Sequence, residues 1–219
     1  MQFRPVLAAT LLALWAQPPA LWAEGIDSGA YLAAQVAGAD DDYREAAHWF
    51  TRALIAAPGD VSLMEGAISA QLGAGNLDAA IAVAGRLKAS GANSATAELV
   101  LIADEAKREA YADLQEQPKD GRTGAMLLDG LVKAWAELGT GRMSEAQAAF
   151  DTLAKTQGLQ GLALFHKALA LASVGDFEGA EAIMSGDAAG AIGAMRRGTV
   201  AHVQILSQLE RNPDAIALL

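Results

Sequence analysis

Read from Asp27 onward, the chain shows helix-forming stretches separated by short turns, and no strand-like alternation of apolar and polar residues. Tyr43-Arg44-Glu45-Ala46-Ala47-His48-Trp49-Phe50-Thr51-Arg52-Ala53-Leu54, followed by Pro58, reads as one helix and its exit. Asn76-Leu77-Asp78-Ala79-Ala80-Ile81 begins a second helix in the same register, with Ala46 and Ala80 thirty-four residues apart. The signal returns in Gly141-Arg142-Met143-Ser144-Glu145-Ala146, with Phe150 following, and in Gly175-Asp176-Phe177-Glu178-Gly179-Ala180. Ala146 and Ala180 are again thirty-four apart. From Ala80 to Ala146 is sixty-six residues, room for one further unit shorter by two.

Another helical stretch lies upstream of each turn. Leu131-Val132-Lys133-Ala134-Trp135-Ala136 aligns with Phe165-His166-Lys167-Ala168-Leu169-Ala170, so each unit is predicted to be helix, turn, helix. Antiparallel helices approach closely where a small side chain sits at their crossing. Ala34, Ala134 and Ala168 fill that role in first helices, and Ala46, Ala80, Ala146 and Ala180 in second helices. Tyr43, Leu77, Met143 and Phe177 fill the space beside the turn. Gly75, Gly141 and Gly175 supply the positive φ that ends the first helix.

These residues resemble the tetratricopeptide repeat (TPR) family, whose motif has small residues at two helix crossings, an aromatic after the turn and a closing proline. Tyr43, Ala46, Phe50, Ala53 and Pro58 match it best. The resemblance covers units 27–60, 61–94, 95–126, 127–160 and 161–194, with a partial sixth over 195–219. It implies an all-α fold, a right-handed solenoid of antiparallel helix pairs. The pattern departs from the family in several places. The closing proline occurs only in the first unit, Ile68 stands where the second should have a small residue, and Lys133 and Lys167 occupy apolar positions. The third unit has Tyr111 as its marker and a Pro118-Lys119-Asp120-Gly121 break. The alternative is a non-repetitive, Ala-rich helical bundle, which is also all-α.

The N-terminus changes where such a protein works. Arg4, the apolar run Val6–Ala16, the Gln17-Pro18-Pro19 break and Ala20-Leu21-Trp22-Ala23 follow the order of a secretory signal. The run is shorter than the roughly 20 residues that span a bilayer. Residues 1–23 therefore read as a leader, and 24–219 as the exported domain, expected in a bacterial periplasm without a stable membrane span. Cleavage after Gly25 and an uncleaved anchor are the alternatives. At the other end, Arg211-Asn212-Pro213-Asp214 opens a turn, and apolar residues follow without a polar cap. The reading expects a longer repeat protein or a covering subunit.

A net charge of −10 makes nucleic acid a poor partner, and the absence of cysteine excludes disulfides, thiolate metal sites and a cysteine nucleophile. Hydrophobic residues at 53% suffice for a core, and the low aromatic share with abundant Ala and Leu favours helix. His48, His166 and His202 lack ligand spacing. Asp40-Asp41-Asp42 lacks the pattern of a calcium loop and sits at a repeat turn. Asp104, Glu105 and Glu109 mix with Lys107 and Arg108 as a solvated face. Gly186–Gly198 reads as a loose or short-helical connection. No catalytic residue, cofactor or metal ligand is expected.

The family resemblance further implies a concave groove lined by first helices that receives a protein or peptide. Carried over, the groove residues are Tyr31 and Gln35, Glu65 and Ser69, then Leu131, Trp135 and Leu138, and Phe165 and Leu169. Trp135 and Phe165 are the expected anchors, because aromatics dominate interface energetics. The alternative places both between neighbouring helices as core. Two functions follow: a non-enzymatic scaffold of the cell envelope, or the N-terminal targeting module of a larger envelope enzyme or secretion component. An enzyme built on the solenoid itself is the third and weakest reading.

Overall fold

The computed structural model describes residues 27–116, 118 and 121–219, and among them the protein is all-helical. The leader read into residues 1–23 lies outside the described residues. The helices are α1 (Ser28–Ala39), α2 (Tyr43–Ala56), α3 (Val61–Gly73), α4 (Leu77–Ala89), α5 (Ala95–Lys107), α6 (Tyr111–Gln115), α7 (Met126–Gly139), α8 (Met143–Ala154), α9 (Gln160–Ser173), α10 (Phe177–Met184), α11 (Ala189–Gly193), α12 (Arg196–Gln208) and α13 (Asn212–Ala217). Each packs on its neighbours in the chain. In addition α3 touches α5, α7 touches α9, and α9 touches α12. The architecture is repeat-like. Second helices begin at Tyr43, Leu77, Tyr111, Met143 and Phe177, spacings of 34, 34, 32 and 34 residues.

One turn recurs between the two helices of every unit. The N–H of Asp42 bonds the Ala37 carbonyl, Asn76 that of Gln71, Ala110 that of Glu105, Arg142 that of Glu137, Asp176 that of Leu171 and Arg211 that of Leu206. Each bond spans five residues and closes around a residue of positive φ, as in a Schellman motif. Gly75, Gly141 and Gly175 take that conformation, as their sequence positions predict. Asp41, Glu109 and Glu210 also take it, at φ 59, 56 and 58°. A side chain in this region carries a steric cost, so glycine content alone understates how regular the turns are.

Small residues set the helix spacing. Ala34, Ala46, Ala80, Ala134, Ala146, Ala168 and Ala180 are buried at 2% exposure or less. Ile68, the departure in the second unit, is fully buried too, and Leu114 takes the place of the second-helix alanine in the third. Two aromatics after the turn find their space through glycines on the next first helix. A Cβ on Gly73 would overlap the Tyr43 ring, and one on Gly139 the Tyr111 ring. The segment read as a loose or short-helical connection contains the short α11, whose Ile192 is buried with Phe165, Met184 and Ile205.

The junction after the third unit is built differently. Helix α6 has five residues, and Arg122 and Thr123 ahead of α7 are held by polar contacts. The Arg122 side chain is 5% exposed; its Nε lies 2.7 Å from Glu98, and its terminal nitrogens grip Glu105. Lys88 adds a 3.0 Å pair to Glu98. Buried Asp129 of α7 accepts hydrogen bonds from the Thr123 N–H at 3.1 Å and the Thr123 hydroxyl at 3.0 Å. The loop is thereby stapled to α5 on one side and to α7 on the other.

Candidate protein-binding groove

Leu131, Trp135 and Leu138 lie four and three residues apart on α7, and so share a face. All three are half-buried against Ala134, Ala146, Phe150 and Ala170. The Trp135 indole meets the Phe150 ring edge-on, with centroids 6.0 Å apart, and its N–H donates to His166 Nδ1 of α9 at 3.2 Å. Trp135 thus joins α7 to α9. Burial pushes the His166 pKa below its ordinary value, which keeps the imidazole neutral and its Nδ1 able to accept.

Phe165 is 8% exposed and belongs to the cluster formed by Ala168, Leu171, Ala180 and Met184, while Leu169 is half-buried. One edge of Phe165 and Leu169 stays open to a hollow of about 390 Å³ between α9 and α12. Val200 and Ala201 form its other wall, and Arg196, Arg197 and Gln204 stand around it. Helix α9 thus contacts both α7 and α12.

Tyr31 and Gln35 are exposed on α1, apart from that face, and the Gln35 amide donates to the Tyr31 hydroxyl at 2.9 Å. Gln35 and Ser69 come together at a separate hollow of about 520 Å³ between α1 and α3, with Tyr43, Phe50, Ser62 and Gly66. Among the described residues no charged side chain lines it. Glu65 is engaged elsewhere, accepting from the Ser94 hydroxyl at 2.7 Å and so tying α3 to the start of α5. A further hollow, about 780 Å³, lies beside the Arg122 staple, where Lys88, Glu98, Glu105 and Arg122 satisfy one another.

Sequence reasoning missed α12. Arg196, Arg197, Val200 and Gln204 belong to the partial sixth unit, whose register could have been fixed from Ala215, thirty-five residues after Ala180 and likewise buried. Among the described residues no group of three or more His, Cys, Asp or Glu could hold a metal ion, and no helix is long and apolar enough to cross a membrane. No family model matches the chain, and no curated protein matches it.

Proposed function

We propose that this protein is a non-enzymatic scaffold, exported to the periplasm or cell envelope, that holds a peptide or helix of a partner protein on the face of α7, α9 and α12. In this reading the helix pairs form a right-handed solenoid of tetratricopeptide type. The observation that supports it is the recurrence of one hydrogen-bonded turn in six units at near-constant spacing, with α9 in contact with both α7 and α12. Stacked units of this kind create extended binding surfaces because each buries its apolar face on the next. Export rests on the order of Arg4, Val6–Ala16 and Ala23 in the sequence.

The test uses the full chain as bait in extract from its native host. Leu169→Gln with Val200→Asn roughens the proposed face, and Ser144→Arg with Glu178→Lys alters exposed positions on second helices. With helicity and melting temperature matched to wild type, the first pair should cut recovery of a specific partner about tenfold, and the second should leave it intact. Equal recovery by both pairs would refute the assignment.

A further inference from the structure

We infer that the hollow between α9 and α12 takes a partner segment in which an apolar side chain is flanked by carboxylates. This rests on the groove reading above and adds the chemistry of its occupant. The chain carries a net charge of −10, yet the lining of this hollow includes two arginines and no carboxylate. Arg52, Arg108, Arg122, Arg142 and Arg211 each pair with an acidic side chain of their own chain. Arg196 and Arg197, like Arg44 and Arg86, have no ion pair among the described residues, and these two stand at the hollow.

The apolar part of the site is equally specific. Phe165, Leu169 and Ala201 make a floor, and Val200, 47% exposed, makes a wall that water covers poorly. At about 390 Å³ the hollow is near the lower limit for ligand sites, sized for one or two side chains of an extended segment. An apolar side chain placed there brings its neighbours beside Arg196 and Arg197, whose planar guanidinium groups suit paired hydrogen bonds to carboxylates. A basic segment would meet the same arginines as repulsion, so charge also selects against partners. The concavity favours a peptide over a flat anionic bilayer.

A phage-displayed library of random peptides, selected on the immobilised full chain, tests this directly. Wild type should enrich sequences with Asp or Glu within a few residues of Leu, Phe or Met. Arg196→Glu with Arg197→Glu, both at exposed positions, should lose that acidic preference and weaken a selected peptide about tenfold or more at low salt. Val200→Asn should weaken the same peptide while leaving the acidic preference in place. Peptides without acidic bias that still depend on Val200 would overturn this inference and leave the groove reading standing. An acidic bias that survives the double arginine change would also overturn it. Failure to enrich any peptide, or peptides indifferent to Val200 and both arginines, would overturn both readings. Arginine-dependent binding to phosphatidylglycerol vesicles without peptide enrichment would reassign the surface to lipid.

Discussion

Two junctions between first helices of neighbouring units are built in two ways. Between α7 and α9 the contact is made by alanines, the Phe150 ring and the Trp135–His166 hydrogen bond, with the charged groups outside. Between α5 and α7 the connection runs through short α6 and through a loop whose Arg122 is sunk between Glu98 and Glu105. Packing of small residues fixes distance through contact on all sides and changes little with pH or salt. A buried ion cluster holds only while every member keeps its partner and charge. The third unit is where the motif is weakest in sequence, and there charge supplements the packing of Ile102, Leu114 and Ala136.

The largest effect should come from breaking that cluster. Arg122→Met leaves two carboxylates, each about 15% exposed, without their shared cation. It should cost about 3 kcal/mol in urea unfolding, the low end for breaking a buried pair, because both carboxylates keep some water. Adding Glu98→Gln and Glu105→Gln should recover most of the loss. The junction also carries an acid dependence. Burial pushes the Glu98 carboxyl up, but the hydrogen bonds and charges of Arg122 and Lys88 outweigh it and hold its pKa below 4.5. A depressed folded value means the stabilisation is complete above 4.5 and is lost as pH falls through the folded pKa. Wild type should therefore lose stability faster than the Arg122→Met, Glu98→Gln, Glu105→Gln variant between pH 5 and pH 3; parallel curves would remove the staple's role.

The next effect probes what both kinds of junction share. Gly139→Ala drives a methyl group into the Tyr111 ring and should cost about 2 kcal/mol, with a clear rescue by Tyr111→Leu in a double-mutant cycle. Gly73→Ala meets the Tyr43 ring, which is 38% exposed and held toward solvent only by its hydroxyl's 2.8 Å bond to Asp41, so its cost should be smaller. Equal costs would mean that the ring at α6 is no more confined than the one at α2.

Much of this was legible in the sequence, because alanine at a helix crossing and glycine at a turn are tied to one geometry. The thirty-four-residue register located Ala46, Ala80, Ala146 and Ala180, and predicted a third unit shorter by two, as the 32-residue step from Tyr111 to Met143 has it. The turns at Asp41, Glu109 and Glu210 were hidden because local composition does not reveal a left-handed residue imposed by the hydrogen bonds around it. Gly73 and Gly139 were hidden for another reason: their partners, Tyr43 and Tyr111, lie about thirty residues away in the preceding unit. Of the groove residues, Leu131, Trp135 and Leu138 pack in one cluster, Phe165 and Leu169 in another beside α12, and Tyr31 and Gln35 lie on α1. The contribution of α12 depended on the register of the last unit, where neither a turn glycine nor an aromatic marks the repeat.

Smaller effects sharpen the comparison at single residues. Glu109→Gly relieves a left-handed side chain in the third unit and should stabilise by about 0.5–1 kcal/mol, whereas Gly141→Glu at the matching turn should destabilise by a similar amount. The smallest effect belongs to His166. Its pKa is lowered by burial, so the folded state favours the neutral ring, and stability should be flat above 6.5 and decline as pH falls toward the folded value. His166→Gln should flatten that part of the curve in thermal melts between pH 7 and pH 5.

The central claim is that the face of α7, α9 and α12 is where this protein meets another. Site-specific photocrosslinking in the living native host tests it most directly, with benzoylphenylalanine placed singly at Leu169, Val200 and Gln204 and, for contrast, at exposed Ser144 and Glu178. One common crosslinked partner is expected from the first three positions and none from the last two. Crosslinks to the same partner in equal yield from both sets, or from Ser144 and Glu178 alone, would contradict it.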